Sequence, residues 1–174
     1  MVGVGLMYRK PHGDLRVVRM VDSDALRIEK AIVSKRFYED YKKAFENAKP
    51  IIAENTSITD ANEIHQTTQT LFNKILFLRF IEKKGWLHFG DTDDYLRELF
   101  KAGGVGSSTF YSSRLKRLFL EGLAIEGKQN ESAYGEVPFL NAGLFEESGF
   151  DKAIRDLPDE MFEPLIGDDG LFYK

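Results

Sequence analysis

The sequence predicts a mainly α-helical fold: a multi-helix bundle with a short N-terminal β-hairpin and an irregular, partly extended C-terminal segment. Apolar residues recur at helical spacing through most of 34–126. Beyond Ile125 this pattern loosens, and turn formers interrupt an extended apolar segment. We therefore divide the chain into a hairpin and lead-in (1–33), a helical bundle core (34–126) and an acidic segment (127–174) that leads to a domain further downstream.

The composition excludes several classes of protein. At 43% hydrophobic and 30% charged residues, the 174-residue chain is typical of a globular protein. It contains no cysteine, which excludes disulfides, a thiolate nucleophile and a cysteine-ligated metal. Neither a secretory signal nor an apolar run of about 18 residues is present. The sequence thus predicts no membrane partner and a cytoplasmic location.

The charge is unevenly distributed. The formal net charge is −4, but residues 131–174 contain eleven acidic and three basic residues, a net of −8, which leaves +4 on the remainder. A mildly basic body followed by an acidic segment is compatible with a DNA-facing module. It is equally compatible with an ordinary solvated surface.

Local signals define the first elements. Two apolar runs within 5–21 flank a turn that contains Pro11 and Gly13, which predicts the hairpin. A helix begins near Ser34, with one buried stripe, and we expect Pro50 to end it. The stripe consists of Phe37, Tyr41, Ala44, Phe45 and Ala48.

The best-defined helix is predicted from about Ala61 to Lys84. Asp60 is suited to the N-cap, with Glu63 three residues later as in a capping box. Gly85 fits the left-handed position after the last turn. Residues 71–81 are apolar almost all the way round, as expected of a helix at the centre of a bundle.

Shorter elements follow. We predict helices over Tyr95–Ala102 and Thr109–Glu121, a short helix around Asp159–Leu165 and a turn at 167–170. The last apolar residues, 171–173, have strand character but no strand to pair with. We take this as a sign that the chain is a piece of a longer polypeptide.

No catalytic, cofactor-binding or metal-binding residues are predicted. His12, His65 and His88 are scattered without ligand spacing, and no G-x-S-x-G nucleophile motif occurs. The adjacent carboxylates in the acidic segment lack a partner base. An independent small enzyme would need a pocket with perturbed titratable groups, which we do not expect.

Basic residues provide the one candidate site. They lie on two predicted helices which, if they are neighbours, would present a strip of cations to DNA phosphates without reading sequence. The alternative is a solvated helix face with Arg79 buried in an ion pair. The candidates for DNA-backbone contact are Lys74, Lys83, Lys84, Arg114, Lys116 and Arg117.

The stretch Asn73–Leu87, NKILFLRFIEKKGWL, resembles a known family. It is similar to the helical region that precedes the methyltransferase domain of large adenine-specific DNA methyltransferases. These include type II restriction–modification enzymes and methylase-like phage-defence proteins. Four further stretches resemble the family in the same order, so that the resemblance spans about 35–174; they are 36–41, 110–119, 137–146 and 157–159.

The resemblance implies a parent enzyme that uses S-adenosylmethionine and extrudes the target adenine. In the family an Asn-Pro-Pro-aromatic motif positions that base, but no two of the five prolines here are adjacent. No catalytic residue is therefore carried over, and the methyltransferase domain would lie downstream of Lys174. A nuclease, if the parent has one, would lie upstream of Met1.

The implied role is a non-catalytic connector that orients domains and contacts the DNA backbone. We expect Pro138–Phe145 to dock on the methyltransferase domain and to form an exposed apolar patch in this chain. The alternative is a free-standing helical interaction or DNA-binding module in phage defence.

Overall fold

A computed structural model describes residues 5–9, 15–19, 35–104, 106, 108–140, 143–145, 147 and 149–173. These residues are mainly helical with short antiparallel strands, which confirms the predicted class at that level. The helices of the first part, residues 35–123, are called the helical body below. They are α1 (Lys35–Glu54), α2 (Ala61–Lys83), α3 (Tyr95–Lys101) and two π-helical segments, Tyr111–Leu115 and Leu118–Gly122.

Both ends of α2 form as the local sequence predicts. The Asp60 carboxylate accepts the amides of Asn62 and Glu63 at 3.0 and 2.9 Å, which satisfies two of the free N–H groups at the helix start. At the other end Gly85 has a φ of 67°, and the Trp86 amide donates to the Ile81 carbonyl at 3.2 Å. This is a Schellman motif, so a glycine at that position ends the helix without strain.

The predicted end of α1 at Pro50 is wrong. The helix continues through Pro50 to Glu54. A proline inside a helix removes one backbone hydrogen bond and crowds the carbonyl four residues back, at a cost of about 3 kcal/mol. However, Ala48 and Ile52, on either side of Pro50, are both buried in the core. Tertiary packing of this face therefore outweighs the local helix-breaking signal.

The helix predicted over Thr109–Glu121 forms, but most of it is π-helical. The Leu123 amide donates to the Leu118 carbonyl five residues back, at 2.9 Å. Its start is held from elsewhere in the chain, because Asp159 accepts the Phe110 amide at 2.9 Å. Such widened turns are rare and hydrophobic periodicity does not distinguish them from α-helix.

Strands β1 (Gly5–Arg9) and β2 (Leu15–Arg19) pair antiparallel, while the turn predicted between them lies outside the described residues. A third strand, β5 (Phe139–Leu140), pairs with β1, so the strand order is β2-β1-β5. The remaining pair is β3 (Asn130–Glu131) with β4 (Gly135–Glu136).

The predicted exposed patch over Pro138–Phe145 is wrong. Leu140 lies in β5, and both Leu140 and Phe145 are buried. The Phe145 ring packs against Phe77 of α2 and Phe119 of the π-helical segments, with centroids 5.5 and 5.7 Å apart. The extended apolar segment therefore finds its partners within the chain.

Residues 149–173, called the acidic strap below, fold against the helical body. The strap contributes Ile154, Phe162 and Phe172 to the same hydrophobic core as the body helices. The strap consists of α4 (Gly149–Ala153), a 3-10 helix (Asp159–Met161), α5 (Glu163–Ile166) and a last 3-10 helix (Leu171–Tyr173).

Within the described residues, no helix combines the length and apolarity needed to cross a membrane.

The predicted short helix near 159–165 is thus split in two, and the turn at 167–170 closes through a hydrogen bond from the Gly170 amide to the Gly167 carbonyl at 2.9 Å. The strand character assigned to 171–173 is wrong. These residues form the last 3-10 helix because Leu171 and Phe172 are buried on neighbouring helices rather than aligned along a sheet edge.

Candidate nucleic-acid interface

Lys74 lies at the centre of the molecule and not on its surface. Its side chain is 1% exposed and its Nζ donates to both carboxylate oxygens of Asp151, at 2.8 and 3.0 Å. The ammonium also lies 5.3 Å from the centroid of the Phe119 ring. A buried ammonium is stable only with such partners. Lys74 is therefore unavailable to a phosphate, and its place in the predicted strip is wrong.

Arg114 is also internal, at 9% exposure. Its guanidinium donates to the carbonyls of Ala102 and Gly103, which follow α3, and to Ala133 at 2.9 Å. Burial lowers the pKa of Arg114, because the charged form loses water. The side chain stabilises the carboxyl end of α3. The prediction that Arg114 contacts the DNA backbone is therefore also wrong.

Lys116 is half-buried and faces the strap. Its Nζ donates to the carbonyls of Asp151 and Ile154, both at 2.7 Å. Asp151 therefore accepts hydrogen bonds from two of the predicted residues, from Lys74 on its carboxylate and from Lys116 on its main-chain carbonyl. The structure does bring these two lysines together, but around a segment of the protein itself.

The other three candidates lie on the surface. Lys83 and Lys84 are exposed at the end of α2, where the Lys84 ammonium is 5.4 Å from the Phe80 ring. Arg117 is 42% exposed and pairs with Glu121 one turn later, at 2.9 Å. Their contact with DNA remains a prediction.

The interpretation that Arg79 is buried in an ion pair is confirmed. Its guanidinium pairs with Glu82 at 2.8 Å, and both side chains are largely buried. Burial raises the pKa of Glu82, although Arg79 and a hydrogen bond from Tyr173 act in the opposite direction. A carboxylate at this depth would otherwise be costly.

Two tyrosines of the core, Tyr95 and Tyr111, have raised pKa values, with burial as the main cause. The Tyr95 hydroxyl donates to the Tyr134 carbonyl at 2.6 Å. The Tyr111 hydroxyl has no hydrogen-bond partner among the described residues. For Tyr111 the negative charges of Asp151 and Asp156 add to the rise in pKa.

An ion pair and a hydrogen bond join α3 to the turn that follows α5. A small surface cavity there is lined by Arg97, Lys101, Glu163 and Asp168. Lys101 contacts the Asp168 carboxylate at 3.1 Å, and Arg97 donates to the Asp168 carbonyl at 3.2 Å. In the described part of the chain, no group of three or more His, Cys, Asp or Glu side chains is placed to hold a metal ion.

The histidines that fall within the described residues do not line this cavity and have local roles. His65 packs edge-on against Phe45, with ring centroids 5.1 Å apart. The backbone of His88 pairs with that of Glu136, at 2.8 and 2.9 Å. His12 lies outside the described residues.

The partners of the buried cations were not identified from sequence. Asp151, Glu82 and Tyr173 were not candidates in the sequence analysis. The excess of acid after residue 130 is the one sequence signal that could have pointed to partners for the buried cations, and it does not single out these residues. Comparison of the chain with protein-family models, with curated proteins and with solved structures finds no match.

Proposed function

We propose that this chain is the non-catalytic helical connector of an adenine-specific DNA methyltransferase that uses S-adenosylmethionine. The observation that supports this proposal is that buried charges of the chain pair with each other inside the core. Lys74 and Asp151, 77 positions apart, neutralise each other inside the core. Breaking such a pair is costly, so it ties the strap to α2, and neither of its two charges is exposed to act on a substrate.

The perturbed titratable groups support the same role. In an active site such groups converge on a cleft that admits substrate. Here Glu82, Tyr95 and Arg114 owe their shifted pKa values chiefly to burial, and each makes hydrogen bonds within the protein. This pattern favours a rigid scaffold over an independent small enzyme.

The finer parts of the proposal rest on the family resemblance. The connector is a helical bundle in a cytoplasmic restriction–modification or phage-defence protein, and a methyltransferase domain follows it. Of the six residues proposed from the sequence, Lys83, Lys84 and Arg117 lie on the surface and would contact the DNA backbone. They add affinity without sequence readout.

A free-standing module in phage defence is the second candidate. It is favoured by the strap, which closes the core of the helical body with its own apolar residues. The reading frame separates the two: a methyltransferase motif in frame downstream supports the connector, and a stop codon with no methylase neighbour supports the module.

Calorimetry with S-adenosylmethionine tests the connector directly. We expect no heat of binding to the 174-residue chain, and binding to the longer polypeptide that carries the methyltransferase motif. Binding of the cofactor, or turnover of DNA, by the 174 residues alone would contradict the proposal.

A salt series of duplex DNA binding tests the surface cations. Replacing Lys83, Lys84 and Arg117 by Ala should reduce the slope of log K against log salt by about 0.9 for each phosphate that the variant no longer neutralises. The matched control removes the same charge from exposed lysines elsewhere, with Lys42, Lys43 and Lys128 replaced by Ala. Equal slopes for the two triple variants would remove these cations from the proposed DNA interface.

A further inference from the structure

The ring of Tyr173 lies between two arginines. The Cζ atoms of Arg79 and Arg97 are each 4.0 Å from its centroid. Arg79 belongs to α2 and Arg97 to α3, so one side chain is held by two helices at once. Guanidinium groups at this distance from an aromatic face are attracted by its quadrupole, most strongly where water is excluded.

The hydroxyl of Tyr173 makes further contacts at the ring edge. It donates to the Glu82 carboxylate at 2.9 Å and accepts the backbone N–H of Arg97 at 3.0 Å. Glu82 is buried and already paired with Arg79. The phenol thus supplies a donor that a buried carboxylate needs, and loss of that donor leaves the carboxylate less well satisfied.

The backbone next to Tyr173 is held as well. Arg79 Nε donates to the Phe172 carbonyl at 2.9 Å, and the Phe172 ring lies 6.3 Å from that of Phe37 on α1. The last 3-10 helix therefore contacts α1, α2 and α3. The preceding turn is attached too, because Arg97 donates to the Asp168 carbonyl at 3.2 Å.

We infer that Arg79, Glu82 and Arg97 form a tyrosine clamp that fixes the direction in which the polypeptide leaves the helical body after Tyr173. The inference rests on the proposed function, in which a methyltransferase domain follows the connector. A single contact would leave Tyr173 free to pivot, whereas separate groups bind its ring, its hydroxyl and the neighbouring Phe172 carbonyl, which fixes its Cα and the direction of its Cα–C bond. The clamp is the joint by which the connector orients that domain.

The absence of cysteine makes the joint measurable. Cysteines introduced at Lys174 and at exposed Glu54, the last residue of α1, carry spin labels on the full chain. Phe37, which the Phe172 ring contacts, lies 17 positions before Glu54, so α1 sets the clamped end of the strap about 25 Å from Glu54 along the helix axis, within the range of pulsed dipolar measurement. We expect a single narrow distance distribution for the parent chain, meaning the labelled 174-residue chain in which Tyr173 is intact.

Variants of Tyr173 identify the cause of that narrow distribution. Tyr173→Ala removes every clamp contact of the side chain and should widen the distribution at least two-fold. Tyr173→Phe keeps the ring between the arginines but loses the hydroxyl, and should give an intermediate width. Tyr38→Ala is the control, since Tyr38 is 56% exposed and should leave the width unchanged.

The outcomes separate the clamp from the proposed function. A broad distribution in the parent chain overturns the clamp, as does an unchanged width in Tyr173→Ala with normal circular dichroism. If Tyr173→Ala does not fold, Tyr173→Phe decides, and a width equal to that of the parent chain overturns the hydroxyl's part in the clamp. Cofactor binding by the chain would contradict the connector alone, and a mobile joint without cofactor binding would contradict the clamp alone.

Discussion

Two of the ion pairs between the acidic strap and the helical body, at Asp151 and at Asp168, have opposite consequences. Near the start of the strap Asp151 pairs with Lys74, and both side chains are at most 1% exposed. Seventeen positions later Asp168 pairs with Lys101 at a similar distance, but the two side chains are 79% and 49% exposed. The charged groups are the same, but their burial differs.

Burial changes what such a pair does. At the surface, water and salt screen the attraction and the pair adds little to stability. In the core the same pair must stay intact, because one partner left alone is an uncompensated charge. The Asp151 pair is therefore expected to hold the strap on the body, whereas the Asp168 side-chain pair adds little to the contacts around it.

Breaking the buried pair should have the largest effect. Asp151→Ala leaves the Lys74 ammonium without its carboxylate, and we expect the free energy of unfolding in urea to fall by about 3–5 kcal/mol. The double variant Lys74→Met with Asp151→Leu is the control, since it removes both charges and should be more stable than Asp151→Ala. A double variant as unstable as the single one would show that packing, and not the charge, holds this site.

The next largest effect is expected at Arg114. Arg114→Ala removes the donors to the carbonyls after α3, and we expect a loss of about 2–3 kcal/mol. Arg117→Ala, three residues along the same helix, removes an exposed pair with Glu121 and should cost about 0.3–0.5 kcal/mol. Thermal and urea unfolding of the two variants measure this contrast, and equal losses would contradict the assignment of Arg114 to the interior.

A smaller, pH-dependent effect is expected at Glu82. Its pKa in the folded protein is raised above the ordinary value of 4.5. Its contribution to stability is therefore complete below the unfolded pKa and is lost as the pH rises through the folded pKa. Glu82→Gln cannot ionise and keeps an amide oxygen for the Tyr173 hydroxyl, so it avoids this loss.

Urea titrations of Glu82→Gln and of the parent chain should be compared at several pH values. We expect the stability of the variant, relative to the parent chain, to increase as the pH rises from 4.5 towards neutrality. A difference that stays constant or decreases with pH would mean that Tyr173 and Arg79 fully compensate the burial of the carboxylate.

The smallest effect is expected at the exposed pair. Asp168→Asn should leave the urea midpoint within experimental error at moderate salt, because both side chains remain hydrated. Repeating the measurement at low salt sharpens the comparison with Asp151, since only a surface pair gains strength there. A large loss of stability in Asp168→Asn would contradict the view that the exposed Asp168–Lys101 pair adds little.

Local signals in the sequence were sufficient for part of the fold. The caps of α2 at Asp60 and Gly85 were predictable because each depends on hydrogen bonds that span only a few residues. The end of α1 was not, since packing of its buried face carries the helix past Pro50. The strand expected at 171–173 failed for a similar reason, because burial on neighbouring helices decided its conformation.

The candidate site shows the same division. The residue types of a cationic strip were visible in the sequence, yet Lys74 and Arg114 are buried and Lys116 binds the strap. Periodicity identifies which residues share a helix face, but a helix that is apolar all round gives no face to assign to Lys74. The excess of acid in the strap could be counted, while its pairing with particular cations could not.

By itself, the sequence determined the helical class, the absence of cysteine chemistry and the position of the best-capped helix. These follow from composition and from hydrogen bonds between neighbours along the chain. Only the tertiary structure decided which lysine became a core residue and which stayed in water. The energy of an ion pair depends on the surrounding dielectric, and that environment is created by segments that meet only when the whole chain has folded.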